Sequence, residues 1–352
     1  MRFNELLGVE SLLENKSVTI NDVARVAGVS KRTVSRVINS SPAVNEATRV
    51  KVQSVIDQLE FEPSTMARGL ASNRSFLIGL LFDDLNAAVL HPVLRGVLAA
   101  CSERGFDLVL KPLETQLDNL SEQVAFLIKN SRVEGFVLLP PLANNTQLIQ
   151  ALANKNVPYV RLGAKLADDP KRMVISDDRT SMRKVIDLFL SRDAQRLAIV
   201  KGPVDRVAAE ERYEGFIQAA IESGISSTDI EEVQGDFSYE SGVGCARQLL
   251  STTPRPDAIF ACNDQMAIGV MHIAAEMGIE VPRELLVVGY DNDPASAFMR
   301  PSLTTFARPN EGMAFAAAAR LIDHLSGEAS DDNNQLLAFA PILIERQSTD
   351  RN

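Results

Sequence analysis

From Phe76 onward, short apolar runs alternate with longer amphipathic stretches, and this alternation constrains the fold more than any other feature of the chain. Strands separated by helices form βαβ units, whose strands lie side by side in a parallel sheet. The predicted strands are residues 76–82, 106–112, 135–140, 159–163, 196–202, 257–262 and 285–290. The helices between them include residues 91–104, 180–191, 208–223, 239–250 and 265–277. The pattern predicts an α/β fold for most of the chain.

The alternating pattern runs twice, with a break near residues 160–180 at Asp168, Asp169 and Pro170. Two such runs predict two α/β lobes that face each other across a cleft. In open parallel sheets, ligands bind beyond the carboxyl ends of the strands. Polar side chains in the loops that follow the strands are therefore the candidate ligand-binding residues.

The N-terminal segment has a different pattern, which includes VARVAGVSKRTVSRVIN at residues 23–39. Thr19 and Asp22 form a pair typical of a capping box, at the start of a helix predicted over residues 19–26. Gly28 ends this helix, because glycine adopts a positive φ at no steric cost. The first element of the chain is therefore a helix of only two turns.

Two further helices follow the glycine. Ser30 caps the second, which runs to about Ile38, and its inward residues are Val34, Val37 and Ile38. Asn45 caps the third, which runs to Leu59 and carries an apolar side formed by Val50, Val52, Ile56 and Leu59. Two short helices joined by a tight glycine turn predict a helix-turn-helix, whose second helix enters the major groove of DNA.

The second helix leaves its basic side chains on the outer side. Residues 16–76 contain nine Lys and Arg and five Asp and Glu, whereas the whole chain has a net charge of −10. A small basic segment on an acidic protein indicates a polyanionic partner. Lys31 and Arg32 are placed to donate to guanine. The alternative to a DNA-binding motif is a small helical bundle whose basic face is solvated. The side chains placed nearer the phosphates are Thr33, Ser35 and Arg36.

The segment FEPSTMARGLASNRS, residues 61–75, predicts a short helix that begins at Pro63. Met66 and Leu70 fall on one face of it, four residues apart. A helix this short forms only against a partner, such as a second copy and DNA, where Leu70 would act as a wedge in the minor groove. The alternative interpretation is a polar linker.

Residues 18–72, VTINDVARVAGVSKRTVSRVINSSPAVNEATRVKVQSVIDQLEFEPSTMARGLAS, resemble the N-terminal domain and hinge of LacI/GalR family transcription regulators. The run DVA-x-x-AGVS-x-x-TVSRV-x-N is highly specific for that family. The resemblance continues through the two lobes to about residue 346, so that it leaves out only residues 1–16. Almost the whole chain is therefore similar to one family of regulators.

The resemblance implies a core like that of periplasmic sugar-binding proteins, with a ligand between the lobes, and a homodimer that binds approximately palindromic double-stranded operator DNA. It also implies that Leu70 is the hinge leucine that intercalates. The residues predicted to contact DNA are Thr19, Ile20, Ser30, Lys31, Arg32, Thr33, Ser35, Arg36, Asn39, Arg68 and Leu70.

On the same grounds the chain divides into four segments. They are an N-terminal extension over residues 1–16, an all-α helix-turn-helix domain over 17–62, a hinge helix or linker over 63–75, and a two-lobed core with parallel sheets over 76–352. The expected N-lobe comprises about 76–163 plus 304–330, and the expected C-lobe about 173–303 plus 331–346. The core is expected to bind the effector and to form the dimer.

Polar residues of the predicted C-lobe follow strands or open the helices after them, and they are the candidate effector-binding groups. A sugar requires carboxylates and amides for its hydroxyls and an aromatic face for its apolar side. The resemblance implies a ligand-binding arginine at Arg212, a hydroxyl-binding aspartate at Asp291 and a stacking aromatic at Phe237. Asn263 and Asp264 complete this set.

Each of these residues has a simpler alternative role. Asn263 or Asp264 would cap the helix that follows, and Arg212 would pair with Glu211 or Glu214. Asp177 and Asp178 are weaker candidates, with a helix cap before Thr180 as the alternative.

The N-lobe departs from the family pattern, in which an Asn-Pro-aromatic-aromatic segment often follows the first strand. Here DDLNAAVLHP, residues 83–92, places Ala87, Ala88 and Val89 after Asn86. Asp83 and Asn86 remain as hydrogen-bonding candidates, but the aromatic contact is missing. This departure predicts a weaker affinity, or a ligand other than a simple hexose.

Other classes of protein find little support in the sequence. There is no Walker-type glycine-lysine motif, no Gly-x-Ser-x-Gly elbow and no cluster of metal ligands, so neither an enzyme nor a bound metal or cofactor is expected. No apolar run reaches membrane-spanning length and no signal-peptide core is present, so we expect a cytoplasmic protein that does not associate with membranes. The three cysteines are expected to be buried thiols.

The sequence therefore predicts a dimeric, ligand-responsive transcription regulator, with repression of carbohydrate-utilisation genes implied by the resemblance alone. Two alternatives remain open: a periplasmic-type sugar-binding protein without a regulatory role, and a regulator of a non-sugar pathway that needs a co-repressor.

Overall fold

The computed structural model describes residues 18–38, 43–61, 74–83, 87–113, 120–130, 132–164, 168–328 and 335–351. The chain divides into two compact units, one ending at Ser75 and the other beginning at Phe76. We call them the head and the core. No helix in the described ranges is both long enough and apolar enough to cross a membrane.

The described part of the head contains three helices, α1 (Ile20–Ala27), α2 (Lys31–Ile38) and α3 (Glu46–Gln58). They bury one small core, whose members are Val23, Ala24, Ala27, Val34, Val37, Val52, Val55, Leu59 and Phe61. The prediction for Val50 was wrong, since it is 59% exposed and Val55 lies in the core instead. Val52, Val55 and Leu59 recur at helical spacing, and Val50 falls outside the face that they share.

The predicted ends of the helices are confirmed in their hydrogen bonds. The backbone N–H and the hydroxyl of Thr19 both donate to the carboxylate of Asp22, at 3.0 and 2.7 Å. Gly28 has a φ of 61°, the left-handed conformation that glycine adopts without strain. Ser30 Oγ accepts from the N–H of Thr33 at 3.1 Å. Local sequence is therefore sufficient to end α1 and to begin α2.

The first sheet of the core has six parallel strands, in the order β2 (Asp107–Pro112), β1 (Leu77–Phe82), β3 (Gly135–Leu138), β4 (Tyr159–Leu162), β5 (Met173–Ser176) and β11 (Leu337–Phe339). Its helices are α4 (Ala87–Arg104), α5 (Leu120–Asn130), α6 (Thr146–Asn154) and α13 (Asn310–Ser326). Helices α4 and α13 share one hydrophobic cluster with the sheet, and α5 and α6 share another. This is the N-lobe.

The second sheet has four parallel strands, in the order β7 (Glu231–Gln234), β6 (Leu197–Lys201), β8 (Ala258–Ala261) and β9 (Leu286–Val288). Its helices are α7 (Asp178–Ser181), α8 (Arg183–Ser191), α9 (Val207–Glu222), α10 (Tyr239–Leu250), α11 (Asp264–Glu276) and α12 (Pro294–Phe298). The strands β10 (Thr305–Ala307) and β12 (Ile342–Ile344) form an antiparallel pair. We call this part the C-lobe.

Four short 3₁₀ helices connect these elements, at Leu142–Asn144, Pro170–Arg172, Ser227–Asp229 and Gln347–Thr349.

The lobe boundaries differ from those expected from sequence. The expected C-lobe began at residue 173 and included 331–346, but β5 and β11 extend the N-lobe sheet. The expected N-lobe resumed at residue 304, but Phe306 packs in the C-lobe core. Strands of three or four residues carry too few side chains for a periodic pattern, so tertiary pairing decides which sheet they join.

One predicted helix is divided in two. The pattern over residues 180–191 is formed by α7 and α8, which meet at Met182. The side chain of Asp177 accepts from the N–H of Thr180 at 3.3 Å, so Asp177 is a helix cap as expected.

The three cysteines, Cys101, Cys245 and Cys262, are buried free thiols, as the sequence predicted. Burial raises the pKa of Cys101 to about 12 and that of Cys262 to about 11. These thiols are therefore protonated at neutral pH.

Candidate nucleic-acid interface and ligand cavity

Helix α2 separates its apolar and basic side chains. Val34 and Val37 are buried in the head, whereas Lys31, Arg32 and Arg36 are exposed. None of these three cations forms an ion pair with a carboxylate in the described ranges. The basic face of α2 is therefore unneutralised by the described acids and available to a polyanion.

The polar residues around α2 are positioned by the cap. The hydroxyls of Ser30 and Thr33 are 2.8 Å apart, and Ser35 is half-buried. At the start of α1, Thr19 is exposed and Ile20 is half-buried. The other predicted DNA contacts, Asn39, Arg68 and Leu70, lie outside the described residues.

The core contains a cavity of about 330 Å³ between the two lobes. Its N-lobe wall is mostly apolar and contains Val89, Val93, Leu139, Pro140, Pro141, Asn144, Leu162 and Gly163. Its C-lobe wall contains Pro203, Asp205, Arg206, Val207, Ala208, Arg212, Asp236, Phe237, Asn263 and Asp291. Arg308, just after β10, and Asn310, the first residue of α13, complete the wall. Its volume falls within the range of small-molecule sites.

Arg212 is the most heavily bonded residue of the wall. It projects from α9 and is 2% exposed. Its Nε donates to Asp178 at 3.1 Å, its Nη1 donates to the carbonyl of Cys262, and its Nη2 lies 3.5 Å from Asp291. The guanidinium also lies over the ring of Tyr290, 3.6 Å from the ring centre. The side chain is thus held in one orientation from several sides.

The electrostatics of this group are those of a buried pair of opposite charges. Burial disfavours the charged guanidinium, but the carboxylates of Asp178 and Asp291 outweigh it and raise the pKa of Arg212 above its usual value. Burial likewise opposes ionisation of Asp178, but Arg308 and Arg212 hold its pKa below the usual range. Asp178 and Arg212 are therefore both charged at neutral pH.

The alternative partners of Arg212 suggested by the sequence are occupied elsewhere. Arg179 donates to Glu211 at 2.9 and 3.0 Å and also contacts Glu214. The alternative that Arg212 pairs with either glutamate was therefore wrong. Its partner is Asp178, which the sequence indicated only as a weak candidate.

Phe237 and Asp291 both adopt left-handed backbone conformations at the cavity wall, with φ of 74° and 111°. The ring of Phe237 packs against Gly202, where an added Cβ would lie 2.4 Å from the ring. The amide of Asn263 donates to the carbonyl of Phe237 at 2.8 Å. Non-glycine residues adopt such conformations at a cost, which the surrounding structure must supply. These loops are therefore shaped by tertiary contacts.

Asn263 has a second contact, because its Oδ1 accepts from the N–H of Met266 at 3.0 Å and caps α11. The capping role and the position on the cavity wall are thus both present. With its oxygen and its amide nitrogen already bonded, Asn263 holds the loop of Phe237 in place at the wall.

Asp264 does not line the cavity, contrary to expectation. It is 1% exposed, and its two oxygens accept from the hydroxyl of Thr305 at 2.6 Å and the N–H of Asp293 at 2.7 Å. Burial raises the pKa of Asp264 to about 8, so that it is mostly protonated at neutral pH. One residue of offset along α11 turns this side chain from the wall into the C-lobe core.

On the N-lobe side, Asp83 follows β1 and is half-buried, but it is not among the residues of the cavity wall. Asn86 lies outside the described residues. The described N-lobe wall carries no aromatic side chain, in line with the departure noted in the sequence. Its apolar surface comes from Val89, Leu139 and neighbouring prolines instead.

The sequence analysis missed Arg308. It follows β10 and is 13% exposed, and its Nε lies 3.8 Å from Asp178. A single arginine after a three-residue strand matches no local motif. Only the tertiary structure brings it to the same cavity as Arg212.

Comparisons with known proteins match both the head and the core. Residues 19–64 match the bacterial regulatory proteins of the lacI family, and residues 186–349 match a periplasmic binding protein-like domain. The ribose operon repressor of Escherichia coli K12 is 33% identical over 330 residues, which cover 94% of this chain and 99% of the repressor.

Two solved structures are also similar over nearly the whole chain. A complex of the transcriptional regulator CelR with cellobiose is 30% identical, with a TM-score of 0.69, and covers 94% of this chain and 99% of that one. The lac repressor dimer bound to operator and the anti-inducer ONPF is 28% identical, with a TM-score of 0.73 and coverage of 95% and 99%. The chain described here therefore belongs to the lacI family of bacterial DNA-binding transcription regulators.

Proposed function

We propose that this regulator is a homodimeric repressor that binds an approximately palindromic operator, and that a small sugar-like effector in the core cavity controls its operator affinity. The observation that carries the proposal is the presence of two sites in one chain: the unneutralised basic face of α2 and the cavity around Arg212 and Asp291. A binding protein without a regulatory role needs only the second site.

Helix α2 supports the DNA-binding part. Lys31 and Arg32 lie at its N-terminal end, the part of a recognition helix that contacts base edges. Arg36 lies in its last turn, nearer the phosphates of a bound duplex. The solved lac repressor dimer bound to operator supports a dimer and a two-part operator for this chain too.

The cavity supports the effector part. Asp291 and Asn310 are positioned to bind hydroxyls, and Phe237 offers a ring for the apolar face of a sugar. The ribose operon repressor and the CelR complex with cellobiose support a carbohydrate ligand. Phe237 belongs to the C-lobe wall, so stacking would come from that side alone.

The experiment is selection of genomic DNA fragments on the purified protein at moderate salt, followed by sequencing of the retained fragments. We expect a shared palindrome beside genes of carbohydrate use. Retention without a shared motif would leave only the sequence-independent electrostatic contribution and would contradict specific operator binding. Release of the selected operator by sugars, added in pools, then tests the effector.

The hinge is tested by Leu70→Ala. If Leu70 is a minor-groove wedge, the variant binds the selected operator more weakly and binds the effector as the wild type does. Undiminished operator affinity would rule out the wedge.

A further inference from the structure

Arg308 is a nearly buried cation with unused donors. Its guanidinium makes no hydrogen bond to any described residue, and its Nε is fully shielded without an acceptor. The nearest carboxylate, Asp178 at 3.8 Å, already accepts from Arg212 at 3.1 Å and from the hydroxyl of Ser176. Asp178 therefore accepts hydrogen bonds from two other donors and none from Arg308.

A buried guanidinium without acceptors is costly, because its five donors lose their bonds to water. Proteins therefore pair buried arginines with carboxylates or phosphates, which accept from the planar guanidinium in pairs. In this core, no described acceptor fulfils that role for Arg308. Arg308 is itself one of the residues that line the cavity between the lobes.

The other polar groups of the wall do not supply the missing acceptor. Asp236 accepts from the N–H of Ser238 at 2.8 Å, and Asn263 is bonded to Phe237 and Met266. Arg206, also on the wall, has only Asp205 nearby, at 3.9 Å. The carboxylates of Asp205, Asp236 and Asp291 keep acceptor capacity on the wall, but none of the three pairs with Arg308, whose donors remain unused.

We propose that the effector carries an anionic group, a carboxylate or a phosphate, in addition to its hydroxyls, and that Arg308 binds this group. The ligand class is then a sugar acid or a sugar phosphate. The inference rests on the proposed function only in taking this cavity as the effector site. It also explains how a ligand compensates for an N-lobe wall without aromatic side chains: a charge-assisted bond replaces a stacking contact.

The position of the anionic group follows from the neighbouring charges. Arg308 also borders a second cavity of about 400 Å³, whose other charged side chains are Asp168, Asp178 and Glu211, all acidic. An anion is repelled there. In the first cavity Arg206 and Arg212 accompany Arg308, and these three arginines balance Asp205, Asp236 and Asp291, so no net negative charge opposes an anion there. The anionic group therefore lies on the Arg212 side of Arg308, where the donors outnumber those in the second cavity.

The test compares matched ligands in a thermal-shift and calorimetric titration of the full-length protein. The probes are three sets: glucose, glucuronate and glucose 6-phosphate; galactose, galacturonate and galactose 6-phosphate; ribose, ribonate and ribose 5-phosphate. Inorganic phosphate and acetate complete the panel. We expect at least one anionic probe to bind about tenfold or more tightly than its neutral parent, and the arm that binds distinguishes carboxylate from phosphate.

Arg308→Met should remove this preference, and Arg308→Gln, which keeps a donor without the charge, provides a second variant if the first folds poorly. Arg247→Met is the control, because it removes an equal charge from an exposed ion pair with Glu276 outside the cavity. It should retain the preference in full.

Three results would overturn the proposal: equal binding of a neutral sugar and its acid, a preference that survives in both Arg308 variants, or no binding of any anionic probe. A neutral sugar that binds in the wild type and in Arg308→Met, but not in Arg212→Met, would preserve the effector cavity and refute only the anionic group. Fragment selection on DNA is independent of all three results.

Discussion

The head and the core of this protein use charged side chains in opposite ways. In the head, Lys31, Arg32 and Arg36 lie on the solvent side of α2, while the helix is held by Val34 and Val37. In the core, Arg212 is 2% exposed and is bonded to groups from three other segments of the chain. The groups proposed to recognise DNA are therefore separate from those that stabilise the head.

The difference teaches how substitutions should act. An exposed cation contributes little to folding, since its ion pairs are screened and its hydration is kept. A buried cation between carboxylates contributes to folding and to ligand binding together, because removing it leaves uncompensated charges. We expect that substitution of an exposed arginine in the head weakens DNA binding without changing stability. Substitution of a buried arginine in the core should reduce ligand binding and stability together.

The largest effect is expected for Arg212→Met. The substitution leaves Asp178 and Asp291 buried without their shared cation, which costs roughly 3–5 kcal/mol of unfolding free energy. Ligand response should disappear as well. The measurement is urea denaturation followed by the ligand-induced thermal shift.

The matched control is Arg179→Met, which removes a more exposed arginine paired with Glu211 and Glu214 on the same lobe. It should cost about 1 kcal/mol or less. Equal losses of unfolding free energy in the two variants would show that burial does not decide how much an arginine contributes to stability, and would contradict the contrast drawn between exposed and buried cations.

The next effect is a pH dependence of the core. Burial raises the pKa of Asp264 to about 8, whereas an unfolded aspartate titrates near about 4. Between these values the folded protein holds a proton that the unfolded chain has lost. The stability contributed by this group therefore falls as pH rises, by at most about 1.4 kcal/mol per pH unit.

Asp264→Asn should remove this slope, since an amide can accept from Asp293 and donate to Thr305 without titrating. The measurement is the unfolding free energy of both proteins from pH 5 to 8.5. As pH rises, the variant should become increasingly stable relative to the wild type. Parallel curves would mean that Asp264 titrates normally despite its burial.

The smallest effect is expected in the head. Arg32→Ala should weaken binding to the selected operator by about 1–3 kcal/mol if Arg32 contacts a base. The unfolding free energy should change by no more than about 0.5 kcal/mol, because the side chain is exposed. Operator titration at fixed salt, combined with denaturation, measures both.

Arg247→Ala removes the same charge from an exposed site on the C-lobe and should leave operator affinity unchanged. A comparable loss there would attribute the effect of Arg32 to net charge alone. A large loss of stability in Arg32→Ala would show that the head also couples recognition to folding.

The sequence predicted the features that depend on neighbours along the chain. The Thr19–Asp22 pair, the turn at Gly28 and the caps at Ser30 and Asn45 are all present, because capping and positive φ are decided within a few residues. The alternation of strands and helices was predictable for β1 to β4, β6, β8 and β9, whose apolar runs stand out in the sequence, but the short strands β5, β7, β10, β11 and β12 were not predicted.

The cavity was predictable only in part. Arg212, Phe237 and Asp291 lie on its wall, as the resemblance implied. Of the two candidates predicted from their place after a strand, Asn263 also lies there, whereas Asp264 turns into the C-lobe core. Asp264 and Asp291 both follow an apolar strand, so the sequence pattern does not distinguish them. The direction of a side chain at a strand end depends on the contacts that meet it, and a sequence pattern does not contain them.

The sequence by itself thus determined the helix-turn-helix of the head, the α/β class of the core and the side chains available for recognition, because local propensity and periodicity act over short distances. Only the tertiary structure decided that β5 and β11 join the first sheet, that Arg212 pairs with Asp178, and that Arg308 reaches the same cavity without an acceptor. These contacts join residues far apart in the chain, and their energies arise from burial, which exists only once the chain has folded.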